Sequence, residues 1–396
     1  IVYPNNGTIN WVSSNIDVEP MFVDTANGNY HLLASSQLIN AGHPDSTDSD
    51  GTRADIGAYP YLNTYSGPTW YVSATDGNNT TATGASAAPF KSIQSAINFA
   101  STTSDSVTVT AGTYVENIDF RGRNIKVVGA DRNTTIIDGN QAGSVVTFAN
   151  NESSTALLKS FTIQNGAAYR GGGVHYSGSN ATLNDVTIIN NTTSESGGGI
   201  AFLGSSPTVT NVTITGNSAV SGSGLGGGIY CNDYGPVLKN VLITNNLASF
   251  GGGVHCSNSN ITFTNVSIIG NSGNFGSGIC LHSNAGNTNA NLINSIIWDN
   301  TDNFVSTSHQ IAFQIGDSSY LDLEYSNIQG GQAGININNS GSFNWGSGNI
   351  DVDPMFVDTA NGDYSLADTS PCISAGASSV TIGSTTYTAP TTDLAG

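Results

Sequence analysis

Positive charge is nearly missing from this sequence: nine Lys and Arg residues stand against 28 Asp and Glu in a chain of 396, a formal charge of −19. A protein that grips DNA or RNA needs a basic stripe to displace the counterions of the phosphate backbone. Nucleic acid is therefore excluded as a partner, and so is an anionic membrane surface. Charge of either sign is scarce, at 9% of residues where about 25% is usual. Met occurs twice, and the long-chain residues that favour helices are few. No apolar run reaches the length of a membrane-crossing helix, so no insertion is expected in this segment. The first residue is not Met, and no basic stretch leads into an apolar one as in a secretory leader; either a leader has been removed or the chain is a piece of something longer. The four cysteines form neither a CxxC pair nor a zinc pattern. That leaves the redox compartment open, while the acidic, Lys-poor surface suggests an extracellular or cell-surface setting.

What is abundant is glycine, 48 residues, together with Asn, Ser and Thr. The apolar 37% is dominated by Val and Ile in short alternating runs, which is strand spacing rather than helix spacing. Cutting the sequence at its glycine clusters exposes a repeat: "RGGGVHY", "SGGGIAF", "LGGGIYC", "FGGGVHC" and "FGSGICL", each followed by a second motif such as "NVTITGN" or "NVSIIGN". Phe161, Val186, Val212, Val241, Val266 and Ser295 then recur at spacings of 25, 26, 29, 25 and 29 residues. Short strands and polar turns at that period suit one coil of a parallel β-helix, with equivalent residues stacked about 4.8 Å apart. Val174, Ile200, Ile229, Val254 and Ile279 form one inward column. Asp185, Asn211, Asn240, Asn265 and Asn294 form a polar one, read as a structural ladder in which amides bond along the stack. Asn191, Asn217, Asn246, Asn271 and Asn300 make a second. "APFKSIQSAINFA", from Ala88, carries apolar residues at helical spacing and is expected to cap the exposed first coil.

The opening "WYVSATDG…APFKSIQSAINFA…DSVTVTAGTYVENI" resembles the start of pectate-lyase-like right-handed parallel β-helix proteins. The closing "DVDPMFVDTANGDYSLADTSPCISAG" resembles the tail of bacterial β-helix proteins of the choice-of-anchor Q type, as does "DGTRADIGAYPY" from Asp50. The fold class implied is all-β: a right-handed parallel β-helix with a short N-terminal capping helix and a β-rich tail. "NIDVEPMFVDTANGNY" from Asn15 and "NIDVDPMFVDTANGDY" from Asn349 agree at fourteen of sixteen positions, offset by 334. The expected organisation follows from that copy. Residues 1–62 are the tail module of a preceding unit, 63–68 a linker, and 69–104 an N-terminal strand and capping helix. The β-helix body spans 105–330, and 331–396 form a second, truncated tail module. The chain reads as a window on a tandem array.

For chemistry, the resemblance implies calcium, carboxylates on successive coils and a basic residue that takes a proton. Between Leu157 and Asn300 the charged residues are few, no column holds two acids, and no Lys or Arg is placed beside one. The expectation drawn is a chain that is not an enzyme: a structural repeat of a surface protein, joined head to tail to other copies of itself or to adjacent repeats as a stalk or fibre. The alternative is glycan handling, by adhesion or by lyase or hydrolase action along the groove, with aromatics such as Tyr169, Tyr230 and Tyr234 as sugar platforms; Tyr176 and Phe202 fall in an inward column. "DSTDSDGTRAD" places Asp48, Asp50 and Asp55 around a Gly turn, read either as a calcium loop or as a solvated acidic turn. His175 and His255 are read as surface residues, and Cys231 and Cys256 as inward neighbours, free or disulfide-bonded. A dozen N-x-S/T sequons, among them Asn180, Asn191, Asn211 and Asn260, permit glycosylation without indicating it.

Overall fold

A computed structural model describes residues 15–219, 222–283, 286–302, 309–314, 318–338 and 341–394; the first fourteen residues of the N-terminal module lie outside them. The coil is shaped by its corners. Asp185, Asn211, Asn240, Asn265 and Asn294 take φ between 51° and 57°, a left-handed conformation that Asn and Asp adopt more readily than other non-glycine residues. Each bends a strand so that the residues two before and one after it, Leu183 and Val186 for example, both point into the core. A second corner is made by glycine. Gly171 has φ +62°, and a Cβ there would lie 2.5 Å from the Val174 carbonyl oxygen.

Between corners the strands pair in parallel. Val186, Val212, Val241 and Val266 are in register, as are Ile188, Ile214, Ile243 and Ile268. On the side beyond the glycine corner Val174, Ile200, Ile229, Val254 and Ile279 align. "GGGIAF" lies over "GGGIYC", Gly199 N donating to Gly227 O at 3.0 Å. Inside runs a stack of rings: Phe120, Phe148, Tyr176 and Phe202, with centroids 4.4, 4.8 and 5.0 Å apart. Tyr176 is satisfied in that position by donating its hydroxyl to Ala181 O at 2.8 Å. Cys231 and Cys256 continue the same column in register as buried free thiols, with no disulfide between them.

The parallel pairing begins with Thr69–Val72 against Ser106–Val109 and continues past residue 330 to Ser342–Trp345. Its first coils are capped by helix α1, Ile93–Phe99, all seven residues of which are buried. Ser92 caps the helix by accepting from Ser95 N. Glu116, from the solenoid, accepts from Ile93 N at 2.7 Å and Gln94 N at 3.0 Å. The far side of α1 is covered by the N-terminal module: Asn98 Nδ2 donates to Ala34 O at 3.0 Å and Ser36 O at 2.7 Å, and Arg121 Nη2 to Gln37 O at 2.8 Å. The second copy of the module lies elsewhere, across the outer face of the long sheet. Thr244 Oγ1 donates to Tyr364 Oη at 2.8 Å, Asn294 Nδ2 to Ala377 O at 2.8 Å and Asn240 Nδ2 to Thr392 O at 2.6 Å.

Candidate functional site

With the long sheet overlaid by the tail, the glycine-corner side of the middle coils remains open. Five chemically capable side chains from three successive coils gather there: Tyr169, Arg170, His175, Glu195 and Tyr230. A β-bulge brings the charged pair together. Ala168 pairs with Thr193, but the next registered pair is Arg170 with Ser196, so the later strand carries one extra residue, and such an insertion re-aims side chains. Glu195 comes level with Arg170, whose Nε donates to Glu195 Oε2. The guanidinium carbon sits 5.3 Å from the centroid of the Tyr169 ring, a cation–π arrangement. Tyr169 itself is 64% exposed.

The electrostatics follow from those contacts. The hydrogen bond from Arg170 holds the Glu195 carboxyl below its usual range. Burial, and then the nearby Arg170 charge, push His175 down, so its imidazole is neutral near pH 7; its Nδ1 is buried without a hydrogen-bond partner. Burial raises Tyr230 against the pull of Arg170. The site therefore offers a fixed cation, a neutral base, a protonated phenol and an exposed ring.

This pairing corrects the expectation that no basic residue stands beside an acid. A second such pair is Arg132 Nη1 with Asp185 Oδ1, at 3.6 Å. The repeat aligns Arg170 with Ser196, the structure keeps that register, and the bulge adds Glu195 as the side-chain partner. Glu195 lies in the strand Thr192–Ser196. His255 is also corrected: it is fully buried, 0% exposed, with neither ring nitrogen hydrogen-bonded, between Tyr230 at 5.7 Å and His282 at 6.0 Å. Burial, with a smaller push from His282, lowers its pKa to about 3.

The remaining sequence-derived sites separate in the same way. Asp48, Asp50 and Asp55 each turn carboxylate oxygens inward onto backbone amides. Asp48 accepts from Asp55 N, Asp50 from Thr52 N and Asn63 N, and Asp55 from Asn40 N and Tyr61 N, all within 3.0 Å. Among the described residues no group of three His, Cys, Asp or Glu is placed to hold a metal. Of the sequons, Asn180 and Asn260 are exposed and Asn211 is half-buried. Asn191 is 0% exposed and cannot take a glycan in the folded chain. The Asp185-to-Asn294 column bonds along the stack in places, Asn240 Nδ2 to Asn211 Oδ1 at 3.1 Å and Asn294 Nδ2 to Asn265 Oδ1 at 3.2 Å. A cleft of about 1330 Å³ between the N-terminal module and the cap is lined by Arg53, Arg121 and Arg123. All three donate to backbone carbonyls, and act there as clamps.

No family model matches the chain, and no curated protein matches it. Among solved structures it is similar to a pectate lyase, at 17% identity and a TM-score of 0.52, over 82% of this chain and 95% of that one. It is also similar to a pectin methylesterase from carrot, at 14% identity and a TM-score of 0.41, over 76% of this chain and 98% of that one. The fold is a right-handed parallel β-helix of the pectate-lyase kind. The pectate lyase likeness overturns the expectation that the chain is not an enzyme. That expectation rested on charges scattered singly, and Arg170 and Glu195 are not scattered. No helix among the described residues is long and apolar enough to cross a membrane.

Proposed function

We propose that this protein binds and cleaves an acidic polysaccharide laid across the coils at Tyr169, Arg170, His175, Glu195 and Tyr230, by elimination at a uronate residue. The observation that carries the reading is the bulge-made pairing of Arg170 and Glu195 beside a neutral His175 on the open face. Arg170 meets the uronate carboxylate and lowers the cost of a carbanion next to it. Glu195 and the Tyr169 ring hold the guanidinium in place, and the rest of the Tyr169 face stacks on a sugar. His175 takes the proton at C5. The C4–O4 bond breaks as the C4–C5 double bond forms, and the leaving oxygen takes its proton from the Tyr230 hydroxyl. Hydrolysis would need two carboxyl groups flanking the bond, and here the carboxylate is single and tied to arginine. Calcium, implied by the resemblance, lacks a donor set at this cluster, so elimination rests on the chain's own side chains. A substrate of this class is met outside the cell, and a tail of the choice-of-anchor Q type would suit a protein held at its surface.

The test is the ultraviolet absorbance of an unsaturated uronate released from a panel of acidic polysaccharides, polygalacturonate included. His175→Gln is expected to lower turnover 10²- to 10⁴-fold, as loss of a general base does, and Arg170→Ala to weaken binding as well. A panel without unsaturated product removes the elimination chemistry. Turnover indifferent to His175 removes this site.

A further inference from the structure

The two copies of the repeated module share one local fold and occupy two different environments. In each, an aspartate caps a short turn, Asp24 over Thr25–Asn27 and Asp358 over Thr359–Asn361. Each closes on a left-handed glycine, Gly28 or Gly362, and packs an edge-on aromatic pair, Phe22 with Tyr30 or Phe356 with Tyr364. Their surroundings are complementary. The front of the second copy is the last rung of the solenoid: Asn349 Oδ1 accepts from Ser326 N at 2.8 Å and Ile350 N donates to Ser326 O at 2.9 Å. Among the described residues the front of the first copy makes no such bond to a rung, and Ile16 is 41% exposed. At the back the order reverses. Ile39 of the first copy is 0% exposed against the cap, whereas its equivalent Ile373 is 48% exposed.

We infer that the module is a two-sided connector, and that residues 366–376 of one chain dock on the α1 cap of a second copy of this chain, in the place that residues 32–42 hold in cis. The cap reads mostly main chain there. Asn98 and Arg121 bond the carbonyls of Ala34, Ser36, Gln37 and Ile39, and each equivalent in the second copy has that carbonyl to offer. The apolar anchors are retained, Leu366 for Leu32 and Ile373 for Ile39. Three exchanges oppose the fit: Ser374 stands where Asn40 donates to Asn98 O at 3.2 Å, Cys372 stands where Leu38 packs on the core, and Asp368 stands where fully buried Ala34 does. The last is the most costly, as a buried unpaired carboxylate. A contact between different surfaces of two copies does not close on itself and propagates as a filament.

Ile39→Asp in the full chain should release the cap from its own segment. Sedimentation velocity should then show species that grow with concentration, and adding Ile373→Asp should return them to monomer. Asp368→Ala in the Ile39→Asp chain should bring assembly on at about tenfold lower concentration, the effect of removing ~1.4 kcal/mol of opposition. A folded, monomeric Ile39→Asp chain at every concentration overturns the inference, and so does assembly that ignores Ile373→Asp. Hydrogen exchange on the unaltered chain supplies a measurement free of folding defects. Slower exchange of amides 366–376 as concentration rises supports docking, and exchange independent of concentration refutes it.

Discussion

Two asparagine columns share one period, and only one of them is a buried ladder. Asn191, Asn217, Asn246, Asn271 and Asn300 are all nearly or fully buried, at most 1% exposed. Each Nδ2 donates to the next Oδ1 at 2.9–3.0 Å from Asn191 to Asn300, and Gln310 Oε1 takes the last at 2.8 Å. The residue before each rung explains the direction. Asn190, Gly216, Asn245, Gly270 and Asp299 all have φ between 52° and 64°, which reverses the alternation and turns the following Asn inward. That cue was present in the sequence as "NN", "GN" and "DN". The other column sits at its own left-handed residues and is partly exposed. Asn246→Ala should therefore cost about 3 kcal/mol, since it strands buried partners on both neighbouring coils, whereas Asn211→Ala should cost about 1 kcal/mol or less. Urea denaturation of the two variants compares them directly.

At the level of elements, register was legible and its interruption was not. Val and Ile columns at a 25- to 29-residue period dictate which strands pair, because a one-residue slip would turn each apolar side chain outward. The bulge that brings Glu195 to Arg170 breaks that rule locally, and no residue type in "TTSES" announces it. The α1 cap shows a similar division. Its apolar spacing was readable, but Glu116, twenty-three residues beyond Ile93, is the group that satisfies the first amides of the helix. Glu116→Ala would leave the Ile93 and Gln94 amides buried without acceptors, at about 2–3 kcal/mol. Glu116→Gln retains one acceptor and should recover about half. Thermal unfolding followed by circular dichroism checks the order.

Across the whole molecule, acid has two opposed effects. Protonating carboxylates relieves the self-repulsion of a chain with charge −19. His255 works the other way. Its folded pKa, about 3, lies below the ordinary value near 6.5, so its contribution is complete above the unfolded pKa and is lost as pH falls. Between about pH 6.5 and 3 the unfolded chain binds a proton that the native chain refuses, at about 1.4 kcal/mol per pH unit. His255→Phe should flatten the fall in stability between pH 6.5 and 4.5, read as the urea midpoint at each pH. An equal fall in both proteins would show that His255 is not the group responsible. The same buried ring illustrates what a column position leaves open. His175 and His255 occupy equivalent sites, yet packing across the coils hides one and leaves the other half-open.

By itself the sequence determined the coil: alternation chose strands, Asn and Gly chose corners, and the repeat length chose their stacking, because each is a local preference multiplied over successive turns. Where two copies of one module settle was decided only in three dimensions. One copy of the module meets the capping helix through residues 32–42 and the other meets the last rung through Asn349, and burial depends on the surface encountered rather than on the segment that encounters it.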